Sequence, residues 1–212
     1  MKKVLLTIAL TALVLTLITV VIFFVWTEDF KNKIPYFNQL SNNTSLVVQS
    51  KNSSANVKID GKDYGETPLE IETLSKGTHT VTMTRVVEGD EKVFYEPATF
   101  FVELNNNTEA FINIEIGPNN QISGYVLSYS AAPYSLQEGN YLVKSNYSTR
   151  LTLDDKEIGK TPTEILKAKP GDYTLKSNAE GFDPLEVPIV LRAKYNLNIE
   201  LYLLPVPVNI SE

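Results

Sequence analysis

Two hydrophobic patterns divide the chain. Residues 4–26 carry no charge over 23 positions and hold sixteen Leu, Ile, Val or Phe residues. From about Thr44 onward, apolar and polar positions alternate in short runs punctuated by Gly, Pro, Asn and Asp. The first pattern predicts a transmembrane helix: as a helix it spans roughly 34 Å, enough for a hydrocarbon core of about 30 Å. At about −0.3 to −0.6 kcal/mol per apolar residue, insertion is favoured by on the order of 5 to 10 kcal/mol. The second pattern has the period of half-buried strands and predicts an all-β remainder.

A cleaved secretory signal also starts with basic residues, but it has a shorter apolar region and small residues at its cleavage site. Here Ile22-Phe23-Phe24-Val25-Trp26 is bulky where small residues are needed, so the segment reads as an uncleaved signal-anchor. Lys2 and Lys3 precede it, and Glu28, Asp29, Lys31 and Lys33 follow with mixed charge. That bias places the N-terminus in the cytoplasm and the bulk of the chain outside, with Trp26 at the outer interface. A pilin-type assembly helix has a processing site and an early acidic residue, and neither is present.

The β-patterned part repeats itself. Asn56-Val-Lys-Ile-Asp-Gly-Lys-Asp-Tyr-Gly-Glu-Thr-Pro68 aligns without a gap on Arg150-Leu-Thr-Leu-Asp-Asp-Lys-Glu-Ile-Gly-Lys-Thr-Pro162, at an offset of 94 that Gly77 and Gly171 keep. Asn113-Ile-Glu-Ile116 matches Asn198-Ile-Glu-Leu201 at an offset of 85, so the first copy carries nine extra residues, placed mostly around 86–94. Within each copy Val57/Ile59 and Leu151/Leu153 alternate with polar residues, and Asp60-Gly61 supplies hairpin-turn chemistry. Asp154-Asp155 takes that place less readily in the second copy. Gly65 and Gly159 sit where a positive φ is expected, and Thr67-Pro68 and Thr161-Pro162 lead into strands at 69–71 and 163–165. Lys169-Pro170-Gly171-Asp172 has the composition of a type II turn, with Ser75-Lys76-Gly77-Thr78 its counterpart. Pro184 and Pro188 mark 185–190 as an edge strand.

Six to eight short strands with a turn every eight to twelve residues predict two tandem β-sandwiches of the small immunoglobulin-like or transthyretin-like kind. The segments are a stub and anchor at 1–26, a juxtamembrane linker at 27–43, sandwiches at 44–118 and 139–205, and a tail at 206–212. Residues 119–138 read either as a linker or as an extra strand. Pro133-Tyr134 and Pro35-Tyr36 echo each other as a lead-in to each unit.

The stretch with Ala55, Val57, Asp60-Gly61, Gly65, Thr67-Pro68 and Gly77 resembles a PEGA domain. The second copy resembles it through Leu151, Leu153, Asp154, Gly159, Thr161-Pro162, Gly171 and Glu180-Gly181-Phe182. Departures are Ser54-Ala55 and Ser148-Thr149 for the family's Gly-Ala, and Asp155 for the turn glycine. The resemblance implies a surface or envelope accessory module without a catalytic site of its own.

Charge and chemistry narrow the function further. The formal charge is −6, and the part beyond Lys2 and Lys3 carries 17 Lys and Arg against 25 Asp and Glu, or −8. An acidic exterior repels phosphate backbones and argues against nucleic acid as partner. Cysteine is absent, which removes disulfides, thiolate metal sites and a lipidated cysteine. The single histidine, His79, shares the parity of Val81 and Met83, with Tyr173 in its place in the second copy. It is expected to be structural and inward-facing. Asp154-Asp155 and Glu88-Gly-Asp-Glu91 are read as solvated turn acids rather than calcium ligands. The expectation is therefore no catalytic residue, no metal and no cofactor.

Two surface features carry a functional reading. Sequons at Asn42, Asn43, Asn52, Asn106, Asn146 and Asn209 fall on expected loops and ends as candidate N-glycosylation sites. Tyr125, Tyr129 and Tyr134 form a tyrosine-rich stretch between the repeats, a candidate binding surface or else core packing. The leading expectation is a membrane-anchored extracytoplasmic scaffold or binding module for an envelope protein or polysaccharide. A surface adhesin or carbohydrate receptor using the tyrosine face is the alternative, and a small surface hydrolase is a third.

Overall fold

The computed structural model describes residues 44–87, 94–132 and 137–206. The anchor at 4–26, Pro35-Tyr36, Pro133-Tyr134, Asn42, Asn43 and Asn209 lie outside the described residues. No helix among the described residues is long and apolar enough to cross a membrane.

The alternating pattern becomes fifteen strands among the described residues. The first repeat supplies β1 (Thr44–Gln49), β2 (Ala55–Ile59), β3 (Lys62–Glu66), β4 (Leu69–Ile71), β5 (Gly77–Arg85), β6 (Ala98–Leu104) and β7 (Thr108–Ile116). The inter-repeat segment forms β8 (Ile122–Ala131). The second repeat supplies β9 (Gly139–Ser145), β10 (Arg150–Leu153), β11 (Lys156–Lys160), β12 (Leu166–Ala168), β13 (Gly171–Asn178), β14 (Leu185–Leu191) and β15 (Tyr195–Tyr202). Of the two readings of 119–138, the strand is the one observed.

The fold is all-β, with sheets packed as in a sandwich, but the two sandwiches are not beads on a linker. One seven-stranded sheet runs through both in the order β12-β9-β15-β8-β7-β1-β4, and each repeat adds a four-stranded sheet, β3-β2-β5-β6 or β11-β10-β13-β14. β8 is antiparallel to both β7 and β15, while β1 runs parallel to β7 and β9 parallel to β15. Strand order is thus mirrored about β8 while strand direction is kept. A half-turn about β8 produces that relation, and it turns the sheet over, so the two small sheets cover opposite faces of the large one.

The burial of β8 agrees. Ile122 and Val126 pack with the first core, whereas Tyr125, Leu127 and Tyr129 pack with the second. A strand that is apolar on both pleat faces serves both repeats. Phe111 of β7 reaches the second core and Tyr202 of β15 the first, so the cores interlock across the shared sheet.

The repeated motifs do local structural work. Asp60 and Asp154 each accept from the amide of Thr80 or Thr174 (2.9 and 2.8 Å) and return their own amide to that residue's carbonyl. Both hairpins have positive φ at their two central residues, Asp60-Gly61 (50°, 80°) and Asp154-Asp155 (45°, 65°). Aspartate tolerates the left-handed region because its short side chain bonds locally, so the second copy makes the same turn without glycine. Gly65 and Gly159 sit at bulges with φ of 101° and 118°. Thr67 and Thr161 precede cis prolines, and each exchanges two bonds with Ala55 or Thr149: amide to carbonyl, and Oγ1 from amide.

His79 is buried, with Nε2 2.8 Å from the Ser75 carbonyl and Nδ1 2.7 Å from Asp60. Its counterpart Tyr173 donates to the Lys169 carbonyl, also four residues back, at 2.9 Å. Both side chains close the connection before their strand.

Three sequence expectations need correction. The short second-repeat strand is Leu166–Ala168, not 163–165. Thr163 is spent on Val143, exchanging Oγ1 and main-chain bonds with it, and Ile165 points to solvent. Lys76 and Pro170 form bends rather than type II turns, with Gly77 and Gly171 already the first residues of β5 and β13. The two units share a sheet instead of being separate sandwiches. The extra residues of the first copy fall largely where expected. Gly77 pairs with Leu104 and Gly171 with Leu191, so the offset drops from 94 to 87 across the β5–β6 connection and to 85 by β7.

Candidate functional site

Because the β11-β10-β13-β14 sheet covers only its own half of one face, that face stays open over β7 and β1. The step between edge strand β14 and the open face is a trench. At one end a cavity of about 500 Å3 is lined by Phe111, Tyr125, Tyr129, Tyr173, Pro188 and Arg192. At the other a cavity of about 530 Å3 is lined by residues including Asn113, Glu115, Tyr125, Asp183 and Leu185. Tyr125 lines both.

The two described tyrosines of the candidate surface are walls of this trench rather than free platforms. Tyr125 stacks on Phe111, with centroids 5.9 Å apart and planes at 16°. Tyr129 is 5% exposed. Its hydroxyl donates to the Val190 carbonyl at 2.6 Å, and Arg192 lies 5.2 Å from its ring centroid. Burial pushes the Tyr129 phenol above its ordinary value, against the pull of Arg192. Core packing thus accounts for most of their surface, and Phe111 and Tyr173 offer the half-exposed rings.

At the far end Glu115 is held by four donors: the Ser50 and Ser53 hydroxyls (3.0 and 2.8 Å), the Asn52 amide (2.8 Å) and Arg85 (2.7 Å). Burial alone raises this carboxyl, but those hydrogen bonds and the Arg85 charge outweigh it, leaving Glu115 below its ordinary value. Arg85 also bonds the Ile116 carbonyl and stacks 4.7 Å above Tyr95. The repeated Asn-Ile-Glu signature contained Glu115, but nothing in the sequence linked it to Ser50, Ser53 and Arg85. Arg192 likewise carried no local signal.

The turn residues Asp60, Gly61, Gly65, Thr67, Pro68 and Gly77 lie in the first repeat, and Gly159, Thr161, Pro162 and Gly171 in the second, none of them lining the trench. Asp154 alone of the motif residues reaches it. Among the sequons, Asn52 and Asn106 are exposed on loops. Asn146 also sits on a loop, but its side-chain amide is committed: Nδ2 donates to the Leu203 carbonyl (3.1 Å), and Oδ1 accepts from the Leu203 amide (2.8 Å). The tail is partly pinned, with Pro205 bridging to Phe182 and the Val206 amide bonding the Gly181 carbonyl.

Two fused β-sandwiches built on one turn motif define the class of protein. The family model of the PEGA domain matches residues 43–120 and 138–206, and the chain belongs to that family. It matches no curated protein and no solved structure.

Proposed function

We propose that the chain is a non-catalytic, membrane-anchored module that displays a fused PEGA pair outside the cytoplasm, where it holds an envelope protein or polysaccharide. The observation that carries this is the order of parts: an uncharged run at 4–26 followed by two PEGA segments at 43–120 and 138–206. A body held together by one strand suits display, because β8 contributes to both cores.

Protease added to intact spheroplasts should digest the β-rich part, and deletion of residues 4–26 should release a soluble β-rich protein. Protection in spheroplasts, or a truncated product that stays in the membrane, would overturn the reading.

The trench supports a second reading as a carbohydrate receptor, since half-exposed Phe111 and Tyr173 stand beside Glu109 and Asp172. Aromatic faces with nearby carboxylates suit sugar rings. Glycan-array binding lost on the double change Phe111→Ser and Tyr173→Ser would favour it, and binding unchanged by that pair would remove it.

A further inference from the structure

The edges of the two small sheets are built differently. In the second repeat, Thr174 directs its main chain to Asp154, the turn residue that follows β10. Its neighbours Tyr173 and Leu175 therefore face β14, where they pair with Ile189 and Val187. Glu186, Pro188 and Val190 are left pointing outward. This edge is blocked: Pro188 has no N–H, and the Val190 carbonyl is taken by Tyr129.

The same reasoning applies to the first repeat. Thr80 directs its main chain to Asp60, the turn residue that follows β2, and His79 and Val81 pair with Val102 and Phe100. Thr99, Phe101 and Glu103 therefore point their N–H and C=O groups outward. Phe101 stands where the second repeat has Pro188, three residues before the pairing of Leu104 with Gly77 or Leu191 with Gly171. No hydrogen bond among the described residues reaches the outward main chain of these three. Phe101, at 72% exposed, is the most exposed large hydrophobic side chain among them.

We propose that the β6 edge is a strand-addition site that takes an extended segment of another polypeptide. The repeating N–H and C=O groups of Thr99, Phe101 and Glu103 call for a peptide main chain, which a glycan cannot match. A second copy of this chain does not fit. The large sheet continues beneath the edge through β8 and β15, with Tyr202 of β15 edge-on to Phe100 at 5.6 Å, and then through β9 and β12. A partner docked β6 to β6 would need its own large sheet in the space that β8 and β7 fill. A single strand can lie over that floor.

The side chains set its chemistry. On the outer face an apolar residue covers Phe101 and a basic one meets Glu103, in keeping with the excess of 25 acidic over 19 basic residues. On the inner face small polar residues meet Ser130, Asn196 and Asn198. This supplies a partner class for the display role proposed above and rests on that role only for where the partner is met.

The test is a selection of phage-displayed random decapeptides on the full chain in detergent. Enriched peptides should alternate, with apolar and basic residues on one parity and small polar residues on the other, and should slow amide exchange at Phe101 and Glu103. Phe101→Pro should weaken them at least tenfold, as Pro188 already sits in the equivalent place of a folded strand. N-methylation of the peptide should abolish binding at alternate positions of one parity and spare the other, an arm that needs no protein variant. Lack of enrichment, equal binding to Phe101→Pro together with indifference to N-methylation, or exchange slowed elsewhere would overturn the proposal. None of these failures would touch the anchoring, which the protease experiment reads separately.

Discussion

The Tyr129 hydroxyl, on the strand that joins the repeats, donates to the main-chain carbonyl of Val190 on edge strand β14. Tyr129→Phe keeps the buried ring and removes only this bond. The expected cost is about 0.5 to 1.5 kcal/mol by urea unfolding. Amide exchange along β14 should rise at the same time, and a variant as stable as the parent would deny the bond a structural role.

Gly124 lies at the near end of the same strand. A Cβ there would fall 1.9 Å from the Asn113 carbonyl oxygen, and its φ is +129°. Gly124→Ala therefore has to push β8 from β7 and should cost on the order of 2 to 4 kcal/mol. Because β8 feeds both cores, the loss should appear in probes of either repeat, such as amide exchange at Ile114 and at Ile199. A loss confined to the first repeat would speak against a shared strand.

Asn146 tests the sequons. Its side chain satisfies both main-chain groups of buried Leu203, so Asn146→Ala should cost about 1 to 3 kcal/mol. In a glycosylating host, mass spectrometry should find glycan at Asn106 in preference to Asn146. Heavy occupancy at Asn146 would show that the bond to Leu203 forms too late or too weakly to protect it.

The lowered carboxyls set the acid limb of stability. Glu115 and Asp60 both titrate below their ordinary values of 4.5 and 3.8 in the folded state. The amide of Thr80 and the ring of His79 are the main causes for Asp60. Their contributions are thus present above the ordinary values and are lost as pH falls through the lowered ones. Glu115→Gln should be less stable than the parent at pH 7, by on the order of 1 to 3 kcal/mol, because Arg85 loses its charged partner. The difference should shrink below about pH 4.5. A gap that stays constant down to pH 2 would contradict the assignment.

Much of each repeat was legible in the sequence because its turns are chemically specific. Asp60-Gly61, Gly65 and Thr67-Pro68 each demand a local geometry that few residues satisfy, and Pro188 announced an edge by lacking an N–H. The parity of Val81 and Met83 placed His79 on the inner face. What stayed hidden depends on contacts distant in sequence. β8 alternates poorly, since both of its faces are buried, so its Tyr125–Tyr129 stretch left a surface reading open beside the favoured one of core packing. Nothing local told that the second sheet lies on the opposite face, which follows only from strand order and direction. The shift of β12 to Leu166–Ala168 came from Thr163 bonding Val143 instead of leading a strand, a competition between side chain and ladder. The Glu115 cluster joins residues up to 65 positions apart and has no sequence signature.

Calorimetry of the detergent-solubilised chain tests the fused body most directly. If β8 binds the two PEGA repeats into one unit, the β-rich part should melt in a single transition whose calorimetric and van't Hoff enthalpies agree. Two resolved transitions, each removable by destabilising one repeat, would contradict it.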